Sequence, residues 1–580
     1  MAEEEENQLK LENQMATRKL YFECIFLLCA SLAVKHCKQA SKLATLSDND
    51  ITKLIEQCGT FGPYQRWLYT YIIIVGTLTI MPAMNLAFIS ANVPFLCYPP
   101  NFNASLIPAN LTENEYLQML QPDGDSQCSV YNNSFTGTYY TTPSSNSSKL
   151  QCSYGRKFLT EDFSTIVSEF DLVCERKWLR STLQSVYFAG SLLGAIIFGV
   201  LSDRFGRIRV FLLANTCIVI CGTGKIFIPS LIILMMLHCI QASGYTGNTI
   251  ALYSLTLEFT SSKLRTRISF GYMCLYPVAA IFVTVLVYCI PDWHFLELTV
   301  CLLPAISFFI WIFLPESPRW LIGRKRFTEA KALFQKIMKK NKKQCQDLLK
   351  GFPNNEEELS LKNSFHENIP EKKVLSQKNY TFIDLFRTPR LAITTVNVCF
   401  SWLVASMLYY GVTLHSVDMA GNRYVNFLLL AFVEFPSHLT SFCLFKRFDH
   451  RRPICFFLMF SGLNCIVSNF VTKGSFWFPL ILVVLGKFGI ASAYGSIYLL
   501  SAELFPTVVR ANGLGLASFF ARIGSISGPF ILQLSSYVKW LPLSIFGLLA
   551  VIAGLLLLLL PETKNRDLPQ TFEDLDNWKS

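Results

Sequence analysis

Arg522 stands twelve residues along an apolar stretch that begins behind Arg510. At about 1.5 Å of helical rise per residue, its guanidinium lies roughly 18 Å deep. Glu434 stands about 16 Å beyond Arg423 in a second stretch, with His438 one turn further along the same face. Lys487 lies about 16 Å beyond Phe476 in a third stretch. In a fourth, Trp402 is eleven residues past Leu391, with Tyr409 two turns on and Tyr410 beside it. A guanidinium can hold a carboxylate through two parallel hydrogen bonds, and aromatic faces can hold an apolar or quaternary ammonium group. Glu434 offsets one of Arg522 and Lys487, so a site built from these residues is net positive, with His438 an adjustable addition. Ionisable groups inside apolar stretches are costly and mark pathways. Their common depth predicts that all seven residues share one cavity.

Other chemistries are missing from the chain. There is no HExxH pair and no GxSxG elbow, and Gly222-Thr-Gly-Lys225 lacks the upstream glycine spacing and following Ser/Thr of a phosphate loop. No enzyme activity, metal site or cofactor is expected. The net charge of +11 is not spread as a basic face interleaved with aromatics, so nucleic acid is not an expected partner.

The elements that must carry these residues to mid-depth are membrane-crossing helices. Such a helix satisfies its own backbone hydrogen bonds and covers about 30 Å of hydrocarbon with roughly twenty apolar residues. Twelve stretches qualify: 67–90, 179–201, 209–227, 230–253, 268–290, 293–314, 391–413, 424–445, 453–471, 476–500, 511–535 and 540–560. A composition that is 52% hydrophobic over 580 residues agrees. Links after the even-numbered spans carry Arg204, Arg207, Lys263, Arg265, Arg267, Lys446, Arg447, Arg451, Arg452 and Arg510. By the positive-inside rule those links are expected in the cytoplasm, and the even count places both termini there. The expected organisation is a cytoplasmic segment 1–66, a six-helix bundle 67–314 with an external loop 91–177, a cytoplasmic linker 315–390, a second bundle 391–560 and a cytoplasmic tail 561–580.

The loop fits an external, oxidising location. It holds sequons at Asn103, Asn110, Asn132 and Asn146, and four cysteines, Cys97, Cys128, Cys152 and Cys174. These read as glycosylation sites and as two disulfides with three possible pairings. The run Leu20 to Val34 is short for a span and reads as an interfacial helix, and Thr328 to Lys343 as a helix lying along the membrane surface.

The twelve spans are two sixes. Glu258 is followed seven residues later by Arg265, and Glu503 likewise by Arg510, about 245 residues on. Pro315-Glu316-Ser317 recurs as Pro561-Glu562-Thr563, and the loop around Asp203 has a worn counterpart at Asp449-His-Arg-Arg452, at nearly the same offset. Two six-span halves around a central pathway are an alternating-access architecture. Asp203, Arg204 and Arg207 lie beside the Glu/Arg pairs where spans leave the membrane. These charges either anchor helix ends or form a network that closes that side in one state, and the repeated spacing favours gating.

Gly199 to Arg207 resembles the signature loop of the major facilitator superfamily. Pro315-Glu-Ser-Pro-Arg-Trp-Leu321, Lys487-Phe-Gly-Ile-Ala, Ala502-Glu-Leu-Phe-Pro-Thr-Val-Val-Arg510, Pro561-Glu-Thr, Gly59 to Arg66 and Phe170-Asp-Leu-Val-Cys174 resemble the organic cation, organic anion and carnitine transporter family. The resemblance implies an all-α membrane protein with the twelve-helix major facilitator fold, resident in the plasma membrane. It also implies a small organic ion as substrate, moved with or against a coupling ion or exchanged anion. Two positions depart from the family pattern: His238 stands where the family usually has Arg, and Lys446 where it usually has Asp. The family's cation branch carries an acidic residue at the place of Arg522, and its anion and carnitine branches carry Arg. Organic anions or zwitterions such as carnitine-like betaines are therefore the expected substrates. The alternatives are organic cations, or a sensor or scaffold that does not transport.

Overall fold

The structure, a computed structural model, describes residues 48–100, 102, 107, 111–122, 128–131, 149–160, 163–310, 313–343, 381–470, 477–564 and 569–570. The four sequon asparagines Asn103, Asn110, Asn132 and Asn146 lie outside them, as does the run Leu20 to Val34.

Each of the twelve apolar stretches is helical. In the first half these are α1 (Pro63–Ile89), α2 (Lys177–Phe205), α3 (Arg207–Gly224), α4 (Leu231–Glu258), α5 (Ser262–Met273 continued by Leu275–Cys289) and α6 (Trp293–Phe309). In the second half they are α7 (Pro389–His415), α8 (Arg423–Arg447), α9 (Arg451–Ser468), α10 (Trp477–Leu504), α11 (Arg510–Gln533) and α12 (Leu541–Leu557). Eight of them are long and apolar enough to cross a membrane, and α6 and α12 are shorter apolar helices. α4 is diluted by the buried polar residues His238, Gln241 and Asn248, and α9 opens on two arginines.

Local chemistry sets the helix ends. Thr388 caps α7 ahead of Pro389, Asp292 accepts the His294 amide at 2.8 Å to start α6, and Asn422 accepts the Tyr424 amide at 2.9 Å to start α8. Gly206 separates α2 from α3 at φ +98°, a conformation costly for any residue with a Cβ. α5 breaks at Cys274, just ahead of Pro277, whose missing amide removes one turn's hydrogen bond. Helices approach closely where small residues face them. A Cβ on Gly190 of α2 would lie 2.1 Å from the Cys239 carbonyl of α4, and one on Gly524 of α11 would lie 2.1 Å from the Leu403 carbonyl of α7.

Both six-helix halves fall in one compact unit, formed by the described residues of Gln65–Glu316 and Ser360–Ser580. At the end of the bundle that carries the 91–177 loop, α2 meets α11: Ser181 and Ser185 donate to the Pro529 and Ile526 carbonyls at 3.1 and 2.7 Å. The loop itself holds two antiparallel pairs, β1 (Phe95–Cys97) with β4 (Arg156–Phe158) and β2 (Ser129–Tyr131) with β3 (Lys149–Gln151). Of the three possible disulfide pairings it adopts Cys97–Cys152 and Cys128–Cys174.

The described residues of Met1–Tyr64 and Ser317–Leu359 form a second compact unit. Its helix Phe327–Asn341 buries Leu333, Phe334 and Ile337, and Asn341 donates to the Cys58 carbonyl at 2.9 Å and accepts the Tyr64 amide at 2.9 Å. The segment expected to lie along the membrane surface thus has its apolar stripe packed within this unit.

Candidate functional site

Both halves contribute to a cavity in the bundle interior. Tyr187, Phe188, Tyr245 and Tyr276 line it from α2, α4 and α5, and Tyr409, Tyr410, Thr413, Glu434, Lys487 and Arg522 from α7, α8, α10 and α11. Five of the seven residues picked from the sequence meet here: Arg522, Glu434, Lys487, Tyr409 and Tyr410.

The charges divide unequally. Lys487 Nζ lies 2.8 Å from Glu434 Oε1, donates to Thr413 Oγ1 at 2.8 Å and sits 3.3 Å from the centre of the Tyr409 ring. Tyr409 in turn donates its hydroxyl to Glu434 Oε1 at 2.8 Å. Both Lys487 and Glu434 are almost wholly buried, so the pair is self-neutralising in a place where an isolated charge would be untenable. Arg522 has no such carboxylate. Among the described residues it enters no ion pair, and its Nε has no hydrogen-bond partner. Tyr410, Tyr494, Tyr245 and Tyr276 surround it closely enough to interact electrostatically, offering phenol oxygens but no full negative charge.

Two expected members stand elsewhere. Trp402 packs in the core of the second half, its ring centre 4.9 Å from that of Tyr498, and its Nε1 donates to Ser501 Oγ at 2.9 Å. It presents no face to the cavity. His438 is buried behind the cavity wall near Gly495, with its Nδ1 unpartnered. Depth along a helix places neither; the direction a side chain takes does.

Sequence reasoning missed the aromatic wall of the first half and a polar network behind it. Lys225, fully buried, pairs with Glu297 Oε1 at 2.8 Å and donates to His238 Nδ1 and Gln241 Oε1, each at 2.9 Å. Asn85 of α1 donates to Glu297 Oε2 at 2.7 Å, and Gln241 to Oε1 at 2.9 Å. Lys225 thus supplies the cation in the cluster that holds His238, the residue standing where the family usually has Arg. Tyr187 links this cluster to the cavity, its ring centre 4.8 Å from that of His238. A glutamate inside the sixth apolar stretch was the signal available in the sequence.

At the end of the bundle opposite the loop, the charges pair differently from the expected Glu/Arg spacing. Glu258 is held by Arg207 at 2.7 Å, not by Arg265, and Arg207 also reaches Asp203 at 3.0 Å. Arg204 and Arg265 are exposed and enter no ion pair among the described residues. Glu503 is held by His450 at 2.8 Å and by the Thr563 hydroxyl at 2.5 Å, while Arg510 donates to the Phe505 carbonyl at 3.2 Å. Glu316 accepts the amides of Arg207 and Ile208 at 2.9 and 3.2 Å, and Glu562 those of His450 and Arg451 at 2.9 and 3.3 Å. His450 therefore takes the place of Arg207 in the second half, 243 residues on, rather than the arginine that a constant offset selects. The Glu503 hydrogen bond raises the His450 imidazole above its ordinary value.

At the loop end, an ion pair joins the halves. Arg180 of α2 reaches Asp418, beyond α7, at 2.5 Å and donates to the Ser90 carbonyl at 2.5 Å, while Asp418 also accepts the Asn92 amide at 3.0 Å.

Residues 128–575 match the family described as sugar (and other) transporter. An organic cation transporter protein of Drosophila melanogaster is 32% identical over 532 residues, covering 90% of this chain and 94% of its own. Solute carrier family 22 member 1 of Bos taurus is 31% identical over 542 residues, covering 91% and 93%. Among solved structures, the xylose transporter XylE of E. coli in a partially occluded inward open conformation shares 14% identity. It has a TM-score of 0.57 and covers 86% of this chain and 100% of its own.

Proposed function

The chain belongs to solute carrier family 22, the organic cation, organic anion and carnitine transporters of the major facilitator superfamily, and from that premise we propose that it carries small organic anions or zwitterions across the plasma membrane by alternating access. The observation that carries this reading is Arg522, which enters no ion pair among the described residues, in a cavity whose one lining carboxylate among those residues, Glu434, is already neutralised by Lys487. A carboxylate entering the cavity meets a guanidinium that can take it in two parallel bonds, and the surrounding tyrosines accept an apolar or quaternary ammonium portion.

In this reading the Arg180–Asp418 pair closes the loop end, and the Arg207–Asp203–Glu258 and His450–Glu503 clusters govern the opposite, cytoplasmic end. The 91–177 loop faces outward, and Asn103, Asn110, Asn132 and Asn146 carry glycans. Glycosidase treatment of surface protein therefore lowers and sharpens its gel band; an unchanged band on surface-expressed protein reverses the orientation.

A second reading, cation transport, is favoured by Glu434 and by relatives named organic cation transporters. Uptake of a labelled carboxylate, a betaine and a tetraalkylammonium in cells expressing the wild type and Arg522→Ala decides between the two. Carboxylate and betaine uptake should be present in the wild type and lost in the variant. Carboxylate uptake that survives in surface-expressed Arg522→Ala overturns the assignment.

A further inference from the structure

Lys487 is placed as a ligand would be. Its ammonium lies over the face of Tyr409, 3.3 Å from the ring centre, with a carboxylate oxygen of Glu434 and the hydroxyl of Thr413 each 2.8 Å away. The π face, the carboxylate and the hydroxyl come from α7 and α8, whereas the ammonium arrives from α10 on a flexible four-carbon stem. A ring quadrupole and a carboxylate converging on one point make an ammonium site, and burial strengthens both attractions. All four residues border the cavity that holds Arg522.

We propose that Glu434, Tyr409 and Thr413 form an alkylammonium-binding site that the chain fills with its own Lys487, so that this lysine is a tethered cation excluding cationic ligands from the cavity. The proposal rests on the transporter reading above but not on its choice of anionic substrate. With the lysine in place, Arg522 is the one lining charge, among the described residues, left to a ligand. Without it, Glu434 and Arg522 face the same space as an acceptor for a cation and an acceptor for an anion.

The test compares the wild type, Lys487→Met, Lys487→Arg and the double variant Glu434→Gln/Lys487→Met, reading uptake of labelled tetramethylammonium per molecule at the cell surface. Lys487→Met removes the ammonium and keeps the stem's volume, so uptake should rise roughly tenfold or more, the scale of one recovered cation–π and carboxylate contact. Lys487→Arg refills the site and should show no gain, and the double variant, which has no carboxylate, should show none either. Surface-expressed Lys487→Met without a gain overturns the proposal, as does an equal gain in the double variant. Where Lys487→Met fails to reach the surface because Glu434 is left uncompensated, methylamine in the growth medium should restore it by occupying the vacated site. Failure of that rescue also overturns the proposal. Wild-type carboxylate uptake is scored separately. Its absence beside a cation gain in Lys487→Met removes the anion reading and leaves the ammonium site standing; the opposite pair of results does the reverse.

Discussion

At the scale of single residues, Arg522 and Lys487 show why two cations of similar depth have opposite roles. Lys487 has its carboxylate and Arg522 does not. Arg522→Lys keeps the charge but loses the planar fork, and its ammonium cannot hold both carboxylate oxygens in one plane. Carboxylate affinity should fall by about 1–3 kcal/mol, roughly ten- to a hundredfold in the concentration for half-maximal uptake. An unchanged half-maximal concentration would return Arg522 to a structural role. The charged members of this site were legible in the sequence because an ionisable residue inside an apolar stretch is conspicuous against its neighbours. Of the tyrosines around Arg522 only Tyr410 was, and Tyr494, Tyr245 and Tyr276 were not, since an aromatic ring is as much at home in lipid or core as on a cavity wall. Trp402 and His438 show the limit from the other side. His438 follows Glu434 by one turn, about 40° round and 6 Å along the helix, with Pro436 between them, and that is enough to carry its ring behind the wall.

At the scale of helices, the duplication was readable from Glu258 and Glu503, but the partner of each glutamate was not. A charge's partner is chosen by which residue the connection sets against it: a single residue, Gly206, separates α2 from α3, whereas three separate α8 from α9, and the last of these, His450, arrives where Arg207 stands in the first half. The exchange makes one end cluster titratable. The raised imidazole means that the contact's contribution is fully present below the ordinary value of about 6.5 and is lost as pH rises through the higher folded value. Melting temperatures of purified wild type and His450→Asn, taken from about pH 5.5 to 8.5, should differ most at the acid end and converge at the alkaline end. A gap independent of pH would show that the imidazolium is not what stabilises the cluster. The close helix pairs give a second prediction. A methyl on Gly190 or Gly524 has a backbone carbonyl 2.1 Å away and cannot be absorbed by a side-chain rotation. Each Gly→Ala change should cost about 1–3 kcal/mol and lower the yield of folded, surface-expressed protein. Normal thermal stability in both variants would mean the helices can part without loss.

At the scale of the whole molecule, the Arg180–Asp418 pair joins the two halves where the loop is, and its loss should favour the state open on that side. Asp418→Asn removes a charge-assisted bond whose net value is about 1.5–3 kcal/mol. A reporter cysteine at Ala431, on the cavity wall, should then be labelled roughly tenfold or more faster by an impermeant maleimide applied from the loop side. Equal labelling rates in the two backgrounds would mean that the pair does not hold that end shut. The Cys128–Cys174 disulfide gives this arrangement a further consequence. Cys174 lies six residues before Arg180, on the turn that leads directly into α2, so the loop is fastened covalently to the root of the helix that bears the closing arginine. The loop is in effect a handle. Force applied to it is carried to α2 through a sulfur bridge rather than through a slack tether, so on the proposed orientation a rigid binder gripping the loop should slow transport without entering the cavity.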